Sequence, residues 1–206
     1  MILSQGPLRS QQSLVLASSS PRRQMLLSTL GIIFSVIPST SKEPLPKRDE
    51  APLGYARRAA LFKAQDVAQK NPSKVILAAD TIVVFDNQIL GKPKDHEQAF
   101  AMLKQLNGHT HEVITGCCLL PPEKKPYLFH TLSRVTFANW PKHILTAYAS
   151  TEEPMDKAGA YALQGAGSFL VRAVERSHSN IIGLPLTETV EALLQMDVIS
   201  TASPEV

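Results

Sequence analysis

Apolar and polar positions along the chain fall into short blocks that switch between the two-residue period of strands and the 3.6-residue period of helices. "LVLA" at residues 14–17 is a strand-type run, three serines follow, and Pro21 suits the first helical position, where its missing N–H would have no partner. Met25, Leu26, Leu27 and Leu30 then form an apolar stripe at helical spacing, with Ser20 as N-cap and Gly31 as stop. "IIFSVIP" predicts a second strand ending at Pro38, and the polar, proline-containing "STSKEPLPKRDEAP" predicts a loop that carries Glu43. A helix is expected over about residues 52–70, with Tyr55, Ala59, Phe62 and Asp66 on successive turns of one side and Lys63 beside them.

"KVILAADTIVVF" is the most strand-like run, rich in Val and Ile, and "DNQ" turns the chain into "ILGKP". "KDHEQAFAMLKQLNG" reads as a helix capped by Asp95, with Gln98 three residues on and Gly108 at its end. "HEVITGCCLL" and "YLFHTLSRVTFA" predict two strands joined by "PPEKKP", most simply an antiparallel hairpin. Pro141 opens a short helix through Tyr148, "DKAGAYALQGAGSFLVRAV" is a glycine-rich loop entering a strand, and "GLPLTETVEALLQM" is a last helix with Pro185 near its start. This order predicts an α/β or α+β fold with a mixed sheet, flanking helices and a cleft between two lobes. Residues 1–12 are expected to be an N-terminal extension, 13–198 a single domain and 199–206 a frayed tail.

Composition changes this picture little. The chain has 206 residues, 44% of them hydrophobic, ordinary for a folded protein. No apolar run is long enough to span a bilayer and the first residues lack the apolar core of a secretory signal, so the expectation is a cytoplasmic protein with no membrane partner. A net charge of +3 without a basic run suits a small polyanion better than a nucleic-acid track, and 6% aromatic residues argue against stacking on bases. No nucleic-acid partner is expected. The adjacent Cys117 and Cys118 lie in an apolar stretch and read as buried free thiols. His109 and His111 have the spacing to share a strand face and chelate a metal, but without further ligands at a recognisable spacing they read as ordinary polar strand-edge residues.

Charge becomes informative at single positions. Arg22 and Arg23 stand in the first turn of a helix, where cations oppose the helix dipole by roughly 0.3–1 kcal/mol each. An anion on the serine-rich turn reverses that sign, because free N–H groups, hydroxyls and two guanidinium forks then converge on it. A phosphate site is the functional reading; two solvated arginines beside an ordinary cap is the other. Asp80 interrupts an otherwise apolar strand, and a buried carboxylate needs a cation, a metal or several donors beside it. Lys63 and Lys92 could bring the cations to four, enough for a triphosphate. Gln164 offers a side-chain amide in a run whose glycines would permit close approach of a flat ligand. Neither GxxxxGK[ST] nor GxGxxG occurs. These residues lead as far as phosphate-ester chemistry with a metal.

"LASSSPRRQMLL", "AADTIVVFDNQILGKP", "DKAGAYALQG" and "GLPL" stand in the order and approximate spacing of the Maf family of nucleoside triphosphate pyrophosphatases, which residues 13–196 resemble. The resemblance implies an elongated α/β fold of the Maf and ITPase type, with two lobes around a central cleft. It implies hydrolysis of a nucleoside triphosphate to the monophosphate and pyrophosphate with a divalent metal, Mg²⁺ or Mn²⁺, and a homodimer. By the same resemblance Ser18, Arg22 and Arg23 match the phosphate-binding motif, and Lys63 and Lys92 match lysines lining the cleft. Asp80 matches the proton acceptor, with metal ligation as its other role, and Glu43 falls where the family has an acidic residue after its second strand. Phe62 stands where an acidic residue commonly precedes the lysine. Arg22, Thr81 and Gln164 match the branch acting on dTTP and UTP; the branch resembling 7-methyl-GTP pyrophosphatases carries Trp, Gln and Glu there. Modified pyrimidine nucleotides fall within the expected substrates; the same reaction with a different base preference such as 7-methyl-GTP, and a nucleotide-binding regulator of cell division with little turnover, are the alternatives.

Overall fold

The computed structural model describes residues 6–202. In chain order the elements are β1 (Leu8–Ser10), β2 (Leu14–Leu16), α1 (Pro21–Ser28), β3 (Phe34–Val36), α2 (Pro52–Gln69), β4 (Val75–Phe85), β5 (Gln88–Leu90) and α3 (His96–Leu106). They continue with β6 (Thr110–Leu120), β7 (Tyr127–Phe137), α4 (Lys142–Ala149), β8 (Val171–Glu175), α5 (His178–Ile182), α6 (Leu186–Gln195) and β9 (Ile199–Thr201). Short 3₁₀ turns occupy much of the stretch between α4 and β8. The fold is α/β: a seven-stranded mixed sheet of order β3-β2-β4-β6-β7-β8, with β5 paired to β4, accompanied by helices.

The described backbone gathers into two compact units, one of residues 6–80, 116–130 and 183–202, the other of residues 81–115 and 131–182. In the first unit β2 pairs in parallel with both β3 and β4, as a strand-helix-strand connection through α1 requires. Val15, Ile76, Ala78 and Cys118 of the strands, with Ala17 just after β2, pack against Ala60, Ala64 and Val67 of α2. The small residues let the α2 backbone come close to the sheet. Both cysteines are buried free thiols, as the sequence suggests.

In the second unit α3 contributes Ala99, Met102, Leu103 and Leu106 to a core with Val83, Val113, Val135, Phe137 and Tyr161. Asp95 caps its N-terminus as expected, Gln98 N donating to Asp95 Oδ1 at 2.7 Å, while the Gln98 side chain reaches one residue past the N-cap, its Oε1 accepting from Lys94 N at 2.8 Å. The β4–β5 hairpin turns at Asp86 and Asn87, both with positive φ (48° and 61°), as a two-residue turn matched to strand twist requires.

Three sequence expectations change. Leu8–Ser10 and Ile199–Thr201 pair antiparallel as a ribbon instead of forming an extension and a frayed tail; residues 1–5 and 203–206 lie outside the described residues. Only Leu26 and Leu27 of the α1 stripe are buried, and Met25 stays 46% exposed, because so short a helix turns a narrower face to the core. His111 is a core residue: it is 2% exposed, its Nε2 is 2.8 Å from Tyr161 Oη, and its ring lies edge-on to Phe137 and Tyr161. His109 is exposed and precedes β6.

Burial pushes the His111 pKa down from 6.5 to about 4. Between those values the unfolded chain binds the extra proton, so stability is full above 6.5 and falls on acidification through this window, by about 3 kcal/mol in all. Thermal melts from pH 7 to pH 4 should show this decline, and His111→Phe, which cannot titrate, should flatten it. An equal slope in the variant would assign the decline to other groups.

Candidate active site

Strand β4 lies between β2 and β6, which explains why Asp80 is only 6% exposed although charged. Its cation comes from α2: Lys63 Nζ donates to Asp80 Oδ1 at 2.5 Å and sits 3.1 Å from Glu43 Oε1. Lys63 is 17% exposed, Asp80 9% and Glu43 45% by side chain, so the ion pair is set inward and Glu43 closes its outer side. Desolvation and the adjoining Asp80 carboxyl, within hydrogen-bonding reach, raise the Glu43 pKa against the pull of Lys63. Tyr55, near the start of α2, is pushed up to about 12 by burial and by the Asp80 and Glu43 charges.

The loop bearing Glu43 is tied down by Asp66, which sequence reading placed on the α2 face without assigning it a task. Asp66 Oδ2 accepts from Ser39 Oγ at 2.8 Å and from Thr40 N at 3.0 Å, and Oδ1 accepts from Ser41 Oγ. The Ser41 and Ser39 hydroxyls, with the backbone donors, hold the Asp66 pKa down at about 2. The signal was present in "STS" directly after Pro38, a cluster of donors seeking an acceptor.

The serine turn supplies the second half of the arrangement. Ser18 is buried, and its Oγ accepts from Ser20 N at 3.2 Å and from Arg23 NH1 at 3.3 Å. Arg23 Nε donates to Gly183 O at 2.8 Å, at the "GLPL" segment. Desolvation lowers the Arg23 pKa, while the Asp80 and Glu43 charges oppose that shift, so the guanidinium shares one electrostatic environment with the carboxylates. Ser20 takes the N-cap position of α1 without a side-chain cap bond, and the first turn has no acidic residue. The α1 N-terminus therefore has no side-chain capping acceptor, with the half-buried Arg22 and Arg23 beside it.

Ser18, Arg22, Arg23, Glu43, Lys63 and Asp80 thus belong to the first unit, and Thr81, Lys92 and Gln164 to the second. Thr81 Oγ1 is 2.9 Å from Thr115 Oγ1, and Thr115 donates to Asn180 O at 3.0 Å, which fixes the Thr81 rotamer from within its own unit. Lys92 and Gln164 are exposed.

The glycines after Gln164 have a use different from the expected one. A Cβ at Gly165 would overlap Glu153 Oε1, and one at Gly167 would lie 2.7 Å from Tyr148 Cζ. The room they leave is filled by the chain's own side chains, not kept for a flat ligand.

Among the described residues no group of three or more His, Cys, Asp or Glu gathers as a metal site. Glu43 and Asp80 nevertheless set two oxygen donors side by side, the kind of partial set that Mg²⁺ or Mn²⁺ accepts when phosphate oxygens and water complete the shell. The donor set fits a hard divalent cation.

The sequence profile described as Maf-like protein matches residues 13–196. A Nitratidesulfovibrio vulgaris protein named dTTP/UTP pyrophosphatase is 44% identical over 204 residues, covering 99% of this chain and 97% of its own. A Myxococcus xanthus protein of the same name is 48% identical over 183 residues, covering 89% of this chain and 92% of its own. Among solved structures, a HAM1 protein from Coxiella burnetii aligns with TM-score 0.51 at 18% identity, over 90% of this chain and all of that one, a likeness of fold. Because the profile match runs through both compact units and the relatives align along nearly the whole chain, this protein belongs to the Maf family.

Proposed function

We propose that this protein hydrolyses dTTP and UTP to the nucleoside monophosphate and pyrophosphate. The observation that carries the reading is the buried Asp80–Lys63 pair sharing an electrostatic environment with Arg23 at an uncapped helix N-terminus. The names of relatives at 44% and 48% identity support the same substrates.

In this reading Ser18, Arg22, Arg23, Lys63 and Lys92 bind the phosphates, and the cations in the first turn of α1 have a polyanion as partner. Water attacks the α-phosphorus, its proton passes to the Asp80 carboxylate, and the bond from the α-phosphorus to the bridging oxygen breaks as pyrophosphate leaves. Lys63 holds Asp80 in one rotamer. Glu43 and Asp80 would hold the divalent cation, which when bound offsets charge on the phosphate oxygens. Arg22, Thr81 and Gln164 set the base preference, Gln164 having the donor and acceptor that match a uracil or thymine edge. On the family likeness alone, the reading includes a homodimer and a cytoplasmic enzyme.

Pyrophosphate release from dTTP, UTP, CTP, ATP, GTP and 7-methyl-GTP, with Mg²⁺ or Mn²⁺ and with a chelator, is the test. The expected result is turnover of dTTP and UTP at least about tenfold above the purine substrates, abolished by the chelator. Equal rates on purines would overturn the base assignment. Nucleotide binding without release of pyrophosphate would overturn the enzyme.

A further inference from the structure

We infer that Glu153 is a positioning residue for Gln164, acting through the backbone of the loop at residues 164–167. This rests on the assignment of Gln164 to the base. Glu153 follows α4 and reaches across 13 and 14 residues of chain: Oε1 accepts from Ala166 N at 3.0 Å and Oε2 from Gly167 N at 2.7 Å. Tyr148, 4% exposed in the core of its unit, donates its hydroxyl to the same Oε2 at 2.8 Å. Three donors on one half-buried carboxylate leave it little freedom, and they tie the loop to the packed α4.

The backbone was shaped for this clamp. Gly165 has φ 129° and ψ −161°, a region open to glycine alone, and only the absence of its side chain lets the carboxylate approach. Gly167 gives the same clearance to Tyr148. Burial works to raise the Glu153 pKa, but the Tyr148 hydroxyl and the Gly167 and Ala166 amides outweigh it and hold the group below its ordinary value, so it is ionised at neutral pH. Gln164 is the residue immediately before the clamped turn, and its exposed side chain inherits that fixed origin. A loop ordered in advance lowers the entropy cost of reading a base, which appears in KM and not in the chemical step.

Glu153→Gln keeps the shape, but its amide nitrogen faces one of the three donors and leaves it without an acceptor. In a double-mutant cycle with Gln164→Ala on dTTP, each single change should raise KM about tenfold with kcat within about threefold. The double variant should be no worse than Gln164→Ala alone. Tyr148→Phe, which removes one donor and keeps the packing, should raise KM about threefold in the same direction, also without a further effect in Gln164→Ala. Unchanged KM in Glu153→Gln, or effects that multiply in the double variant, would overturn the proposal while leaving the activity in place. A wild-type protein inactive on dTTP and UTP would remove the base reading, and the positioning role with it.

Discussion

Asp80→Asn is expected to lower pyrophosphate release from dTTP by about a thousandfold, the scale of a lost proton acceptor, while the protein stays folded and binds nucleotide. Lys63 explains why the fold should survive. In the native protein its ammonium group serves both Asp80, at 2.5 Å, and Glu43, at 3.1 Å. The amide of Asn retains an oxygen for the first bond and Glu43 still supplies the counter-charge, so no buried ion is left without a partner. What Asn lacks is the capacity to take a proton from water or to offer a charged oxygen to a cation. Glu43→Gln should cost less, because Glu43 is 45% exposed and its carboxyl already has its pKa raised by burial and by Asp80. The measurement is kcat with the dissociation constant of dTTP for both variants. An Asp80→Asn protein retaining more than a tenth of the wild-type rate would mean that another group accepts the proton.

The same pair shows why Arg22 and Arg23 stand where they do. Helix α1 has two cations and no acid in its first turn and no side-chain cap, which is unfavourable in isolation. Arg23 recovers part of this cost through Gly183 O and Ser18 Oγ and through the field of Asp80 and Glu43. In the proposed reading Arg22 meets the nucleotide, and the first turn of α1 supplies it no acid.

Features written in local patterns were legible in the sequence: β4, the Asp95 cap and the need of Asp80 for a cation follow from period, spacing and the cost of burying charge. Features that join distant segments were not. The β1–β9 ribbon pairs three-residue strands with no pattern to distinguish them from loop, and α5 is too short for a helical stripe. The grip of Glu153 on Gly167 and of Asp66 on Ser39 spans separations that no periodicity encodes. The burial of His111 is not legible because a polar residue on an apolar strand does not reveal that Tyr161 lies opposite to satisfy it.

Gly116→Ala is expected to destabilise the protein by about 3 kcal/mol, the upper range of ordinary overpacking, and to lower the melting temperature by about 10 °C. Gly116 lies within β6, where nothing in the sequence distinguishes it from a loosely tolerated strand glycine. In the structure an added Cβ would overlap the Ala56 carbonyl and lie 2.6 Å from Arg57 N, both backbone atoms of α2. Side chains can swing away from such a contact; a helix backbone can only move as a body. Moving α2 off the sheet also moves Lys63, seven residues along the same helix, so the rate should fall with the stability. Gly54→Ala is the control on that helix, because its Cβ would meet only Glu50 Cγ at 3.9 Å. There the gain in helix propensity, up to about 1 kcal/mol, should leave the melting temperature equal or higher. Thermal melts of the two variants read the difference directly, and a Gly116→Ala protein that melts within about 2 °C of wild type would show that α2 and β6 are not in the close contact described.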